Sequence, residues 1–336
     1  MRGFGSPSHG FFVRQSRIKV DPREEVSCYH CVTRTVNGEF LFDDSAREVL
    51  RRMIWRIADF CGVEILTYAV LSNHFHVLVR VPLKVSISDE ELLRRYKVLY
   101  TEATPYQTTH LNVVRSRLAE NDHWAEAWRS RQLALMGDVS QFMKLLKQRF
   151  SIWFNRRHGR FGTLWAERFR SVLLEGKQSV LETVAAYIDL NPVRAGLVAD
   201  PLDYRFCGYA EAVAGSEAAQ FGIQSIYGAA EWGRVHDRYR MRLFASGSVE
   251  HEGMAGIRPL DFARVVAENG NLPLATVMMC RIRYFTHGAV LGGRAFVQVH
   301  LEKLRLNSGS CRKRSVVPLP PITDWGDLAS MVAVRF

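Results

Sequence analysis

Apolar and polar positions alternate with period two in three early stretches of the chain, separated by runs in which apolar residues return every three or four positions. Val26, Cys28, His30 and Val32 share one face of a strand over about 26–35. Asn37-Gly38 marks a turn. Asp43-Asp44-Ser45 opens a helix to about Phe60, with Val49, Met53, Ile57 and Phe60 at helical steps, and Gly62 closes it. Residues 63–70 read as a second strand, Leu71-Ser72-Asn73 as a turn, and 74–81 as a third strand.

The middle of the chain has helical periodicity. Residues 86–100 begin on Ser88-Asp89-Glu90-Glu91, a capping-box pattern, and a polar stretch over 101–110 separates them from further helix. Asp138 caps residues 139–155, where Val139, Phe142, Leu146, Phe150 and Trp153 recur at helical spacing. Residues 168–175 predict a fourth strand. Ser179 and Glu182 suggest a second capping box, starting a helix through Val180, Leu181, Val184 and Ile188 that Pro192 halts. The order β-α-β-β-α-β with one extra helix predicts an α+β fold: a ferredoxin-like antiparallel four-stranded sheet with helices on one face. Beyond residue 212 the pattern weakens into a mainly helical extension. Fragments of helix fall near 259–269 and 293–304, and Cys311-Arg312-Lys313-Arg314 precedes a proline-rich stretch. Three parts follow: a basic arm over 1–20, a main domain over 21–212 and an extension over 213–336.

Composition narrows the function classes. Lys and Arg number 45 against 34 Asp and Glu, a net charge of +11, which favours polyanionic partners, nucleic acid first and anionic membrane surfaces second. No window approaches the ~18 apolar residues of a membrane span, and the first twenty residues carry no continuous apolar core of a secretory signal. A soluble cytoplasmic protein without membrane contact is expected. Six cysteines are too few for a disulfide scaffold in 336 residues. The Cys28-Tyr29-His30-Cys31 spacing suits half a zinc knuckle, but no second pair follows, so two reduced thiols on a strand are expected.

Three features carry chemistry. His74-Phe75-His76 lies on a strand, so both imidazoles project from one face, as half of a divalent metal site or as a hydrogen-bonded pair. Tyr187 sits on the shoulder of the buried stripe formed by Leu181, Val184 and Ile188, with Asn191 one turn on. A phenol there can attack phosphorus if a base or metal assists it, or can serve as a half-buried helix tyrosine. Between Gln141 and Arg170 stand Lys144, Lys147, Arg149, Arg156, Arg157, Arg160, Arg168 and Arg170 against Glu167 alone, interleaved with aromatic residues. Cations that track phosphates and rings that stack on bases suit single-stranded nucleic acid. Phe150 and Trp153 belong to the helix's apolar side.

The stretches YAVLSNHFHVLVRV at 68–81, FNRRHGRFGTLWAERFRS at 154–171 and YIDLNPVRAGLV at 187–198 resemble the REP-associated tyrosine transposases, a group of the single-tyrosine HUH transposases. The resemblance spans about 20–212, making 21–212 an HUH single-tyrosine domain, and it implies the ferredoxin-like sheet. It implies a metal-dependent transposase acting on single-stranded DNA with REP-like hairpins through a 5′-phosphotyrosine, bacterial and nucleoid-associated, with a homodimer allowed. By that resemblance Tyr187 is the nucleophile, His74 and His76 are metal ligands, and Asn191 is the third ligand of Mg²⁺ or Mn²⁺. Arg156, Arg157, Arg160, Arg168 and Arg170 would hold the DNA backbone. The alternatives are a non-catalytic nucleic-acid-binding regulator on the same scaffold, a hydrolase whose histidines activate water, and a membrane-surface protein, which would need the apolar face of residues 139–155 that the core takes up.

Overall fold

In a computed structural model of the protein, the described residues are 18–99, 105–228, 230–245, 289–308, 314–318 and 328–333. Strands β1 (Ser27–Arg34), β2 (Glu64–Val70), β3 (His74–Val81) and β4 (Arg170–Leu174) stand side by side in the order β2-β3-β1-β4, each neighbouring pair antiparallel. They lie where the period-two alternation places them. β1 and β3 are nonetheless buried on both faces along most of their length. The alternation therefore separates two packed layers rather than core from solvent.

One face, carrying Tyr29, Cys31, Phe75, Val77 and Val79, packs under α1 (Asp44–Cys61) and α5 (Val139–His158). Asp43 caps α1 by accepting from the Ala46 amide, and Gly62 ends it at a φ of 62°, where a side chain would be strained. Trp55 of α1 meets Tyr68 edge-on at 6.1 Å, while Phe42 and Phe150 meet at 5.3 Å and Phe75 and Trp165 at 5.8 Å. The opposite face, carrying Cys28, His30, Val32, His74, His76 and Leu78, lies under α6 (Gln178–Asp189) and α7 (Asn191–Arg194). Helices thus cover both faces, whereas the sequence reading places them on one. α8 (Gly208–Val213) and α9 (Glu217–Ile226) approach β2 so closely that a Cβ on Gly222 would stand 2.3 Å from the Ile65 carbonyl oxygen. α10 (Trp232–Ala245) packs against α6.

The sheet does not stop at four strands. β5 (Val290–Gly293) pairs in parallel with β4, and β6 (Arg314–Pro318) and β7 (Leu328–Ala333) continue it to seven in the order β4-β5-β7-β6. α11 (Arg294–Ser308) packs on these three strands. The expected mainly helical extension therefore contributes, among the described residues, both helices and strands. These strands are short, and β5 ends in two glycines, so no period-two signal marks them. Pro318 is tolerated because β6 stands at the margin of the sheet.

Two local expectations also change. Residues 105–110, read as a polar separator, open α3 (Pro105–Glu120), with proline at the first helical position, and α4 (His123–Leu133) follows. Ser88 does cap α2 (Asp89–Val98), but α6 begins after Lys177 with no side-chain cap. Ser179 is already inside its first turn, its carbonyl accepting from Thr183 Oγ1 at 2.6 Å. Pro192 ends α6 by starting α7, whose first turn needs no amide from it. Cys28 and Cys31 face opposite sides of β1, opposing Arg80 and Val77 respectively, so they share no ligand. Most of the N-terminal arm and the helix expected at 259–269 lie outside the described residues.

Candidate active site

The alternation of β3 turns His74 and His76 to the same face, with ring centroids 5.1 Å apart. β1, hydrogen-bonded alongside, adds His30. Its ring centroid is 5.1 Å from that of His76 at an interplanar angle of 20°, and its Nε2 lies 2.9 Å from His76 Nδ1, so the two imidazoles meet edge to edge, nearly coplanar. α6 then brings down Tyr187, whose ring centroid is 5.9 Å from those of both His30 and His76. A phenol and an H-x-H pair far apart in the chain thus share one pocket of the sheet face.

What holds Tyr187 there is the buried carboxylate two residues later. Asp189 accepts from Thr67 Oγ1 of β2 at 2.8 Å, from the Tyr209 amide of α8 at 3.2 Å and from the Tyr239 hydroxyl of α10 at 2.5 Å. Burial nevertheless pushes its pKa up to about 7, against the pull of those donors. Three elements are fastened to the end of α6 through one side chain. Asn191 closes the same turn, its Nδ2 donating to the carbonyls of Tyr187 at 2.8 Å and Ile188 at 3.4 Å.

The electrostatics are those of uncharged imidazoles in a cationic frame. Burial, then the Arg34 charge, lowers the His74 pKa to about 4. Burial holds His76 well below the ordinary range, followed by its neighbours His30 and His74, then Arg194 and Arg34. For Tyr187, burial raises the pKa, while Arg194, by charge and by hydrogen bond, and Arg34, by charge, oppose it. Arg194 holds its guanidinium 4.7 Å from the Tyr187 ring centroid. Arg34, exposed on β1, stands opposite His74 in the strand register.

The sequence reading brings His74, His76, Tyr187 and Asn191 to one end of α6 and β3, but passes over His30, Arg34, Arg194 and Asn73 as site residues. His30 and Arg34 share a face of β1 at strand spacing, and Arg194 follows Tyr187 at two helical turns; both patterns are visible once the strand is known to adjoin β3.

The five candidate DNA-binding arginines separate. Arg170 lies on the face of His76, through the shared neighbour Val32, and is ion-paired to Glu167 at 2.7 Å. Arg156 and Arg157 are exposed in the last turn of α5, on the opposite side of the sheet, where they line a groove with Trp153, Arg56 and Arg149. Arg160 lies 5.9 Å over the Phe154 ring, and Arg168 is exposed. Of the interleaved aromatics, Phe154, Trp165 and Phe169 join Phe150 in the core, whereas Phe161 is 96% exposed.

As a metal site, the two imidazoles fit. Both are kept uncharged, and the amide of Asn191 has spent its nitrogen on the helix end, leaving its oxygen as the donor atom. Among the described residues no three His, Cys, Asp or Glu side chains converge on a common ion position. An ion here would therefore rest on His74 and His76 and complete its shell with amide, phosphate or water oxygens.

No curated protein matches the chain. A solved structure, described as that of a REP-associated tyrosine transposase bound to a REP hairpin, covers 60% of this chain and 84% of its own at 15% identity, with a TM-score of 0.34. Among the described residues no helix is long and apolar enough to cross a membrane. Residues 25–132, about a third of the chain, which carry β1 to β3 and with them His30, His74 and His76, match the family model described as IS200-like transposase.

Proposed function

We propose that the protein is a metal-dependent single-stranded DNA transposase that cuts near hairpins and keeps the cut strand on Tyr187. One observation carries this reading: Tyr187 of α6 lies against His76, 5.9 Å between ring centroids, although only the fold brings them together. We read β2-β3-β1-β4 with α1 and α5 as a ferredoxin-like core that presents this pair.

In the reaction the Tyr187 oxygen attacks a scissile phosphodiester and loses its proton as the new O–P bond forms. The P–O3′ bond breaks, and the leaving oxygen takes up a proton to become a 3′-hydroxyl. The strand is left as a 5′-phosphotyrosine. One phosphodiester replaces another, so a 3′-hydroxyl can later reclaim the strand without an external energy source. His74, His76 and Asn191 would hold Mg²⁺ or Mn²⁺, which supplies Lewis-acid polarisation of the phosphate. Arg194, at the phenol, offsets charge developing on its oxygen, and Arg34, on the exposed rim beside His74, attracts the phosphate. Arg168 and Arg170 extend the cationic strip beyond that rim, while Arg156, Arg157 and Arg160 offer phosphate contacts at the end of α5.

The test is incubation of the protein with a labelled hairpin oligonucleotide and Mn²⁺, followed by a denaturing gel. A covalent adduct that disappears in Tyr187→Phe is expected. Cleavage without an adduct would indicate a hydrolase, and binding without cleavage a regulator; an adduct that persists in Tyr187→Phe would remove the nucleophile assigned here.

A further inference from the structure

His76 Nδ1 faces a buried imidazole. His30 is fully buried on the neighbouring strand, with its Nε2 2.9 Å from that atom and its ring nearly coplanar with that of His76, at an interplanar angle of 20°. The strand register explains the meeting: Val32 opposes His76, so His30 lies one same-face step along β1. On the other histidine the partner is Asn73. Its Nδ2 donates to the Gly38 carbonyl at 2.9 Å, which turns Oδ1 toward His74 Nδ1 at 2.6 Å. An amide oxygen can only accept, so His74 Nδ1 carries the proton and His74 Nε2 carries a lone pair.

We propose that His30 is a positioning residue that does for His76 what Asn73 does for His74: its Nε2 accepts the His76 Nδ1 proton, fixing the tautomer in which His76 Nε2 is the bare, outward nitrogen. This rests on the reading of His74 and His76 as metal ligands and adds the outer layer that reading needs. Metal-bound imidazoles are commonly oriented by a hydrogen bond to the far nitrogen, and loss of that partner costs roughly 10- to 100-fold in metal affinity. The opposite arrangement, with His30 donating, would place a proton on His76 Nε2 and close that atom to an ion.

A third imidazole in this position is also the reason a ligand set does not form from three histidines. His30 Nε2 is engaged by His76 Nδ1, and among the described residues no three His, Cys, Asp or Glu side chains form an ion-holding group. The protein gains a rigid pair of donors and keeps the remaining coordination positions for oxygens, as a phosphate-handling site requires.

Two measurements test the assignment on the full-length protein. In the first, ¹⁵N-histidine long-range correlation spectra of the metal-free wild type report the tautomer of each ring, the His76 signals being assigned from His76→Gln. The Nδ1–H form is expected for both His74 and His76; a His76 ring in the Nε2–H form overturns the proposal without involving metal or activity. In the second, Mn²⁺ binding is followed by the electron paramagnetic resonance of the free ion. His30→Ala is expected to weaken binding about 10- to 100-fold with hairpin-oligonucleotide affinity unchanged, and His30→Gln, which can still accept, to restore most of it. Wild-type affinity in His30→Ala, with binding lost in His76→Ala, would sink the role of His30 and leave the metal reading standing. Equal Mn²⁺ binding by wild type and a His74→Ala, His76→Ala double variant would instead sink the metal reading, leaving the tautomer measurement to decide the hydrogen bond on its own.

Discussion

Arg194 reaches back from α7 to hold its guanidinium 4.7 Å from the centre of the Tyr187 ring. Burial makes Tyr187 a reluctant acid, and Arg194 opposes that effect more strongly than Arg34 does. Arg194→Gln should therefore cut the rate of adduct formation roughly 100-fold, a scale set by the loss of one donor at a developing oxyanion. The rate profile should also move to more alkaline pH, because the phenol then needs a higher pH to ionise. Adduct yields on denaturing gels across pH check both; an unchanged profile would show that Arg194 acts only in packing.

His74→Ala should abolish cleavage while leaving oligonucleotide affinity within a few-fold, because phosphate contacts rather than the imidazoles dominate binding. Filter binding and the cleavage gel, run on the same preparation, separate the two effects. A collapse of affinity would mean that the histidine pair is structural.

Arg156 and Arg157 stand exposed at the end of α5, while Arg170 is shared with Glu167. The double change Arg156→Gln, Arg157→Gln should weaken oligonucleotide binding at low salt and reduce the slope of log affinity against log salt by about 1 to 2. Titrations at several salt concentrations measure this, and an unaltered slope would place the DNA elsewhere.

Asp189 unites Thr67, Tyr209 and Tyr239 beneath α6. Asp189→Ala leaves those donors buried without an acceptor and should cost about 3 kcal/mol in denaturant unfolding. It should also reduce adduct formation, since the same side chain fixes the helix that carries Tyr187.

Glu48 supplies a pH signature. Its hydrogen bond to Arg51, helped by Arg52 and opposed by burial, holds its carboxyl at about 2, below the ordinary 4.5. A carboxyl depressed on folding stabilises the protein above its unfolded value, and the gain disappears as pH falls through the folded value. Glu48→Gln should thus lower stability by about 1 kcal/mol at pH 7. The difference from wild type should shrink between pH 4.5 and 2, as followed by urea unfolding.

The first four strands, α1 and α5 are legible because each has an unbroken period and a cap: Asp43 and Asp138 both accept from the first-turn amides of the helices they precede. The histidine pair and Tyr187 are legible as residues, and their proximity follows once β3 and α6 share a face. His30 is not, since a histidine on a buried strand face reads as any core polar residue until β1 is known to lie beside β3. Nor are β5 to β7: pairing between strands so distant in sequence is set by tertiary contact, and four residues ending in Gly292-Gly293 carry no periodic trace of it. The capping box expected at Ser179 and Glu182 fails for a simpler reason. A capping pattern names residue types, while the chain has already entered the helix one position earlier, at Gln178.

The parallel seam between Leu173-Leu174 and Val290-Leu291 gives the C-terminal strands a protective task. Were they absent, β4 would present a row of unsatisfied amides and carbonyls directly before the segment that leads to Tyr187, an adhesive border open to any passing extended chain. By zippering that border shut from within, the molecule keeps the neighbourhood of Tyr187 from being recruited into intermolecular sheet.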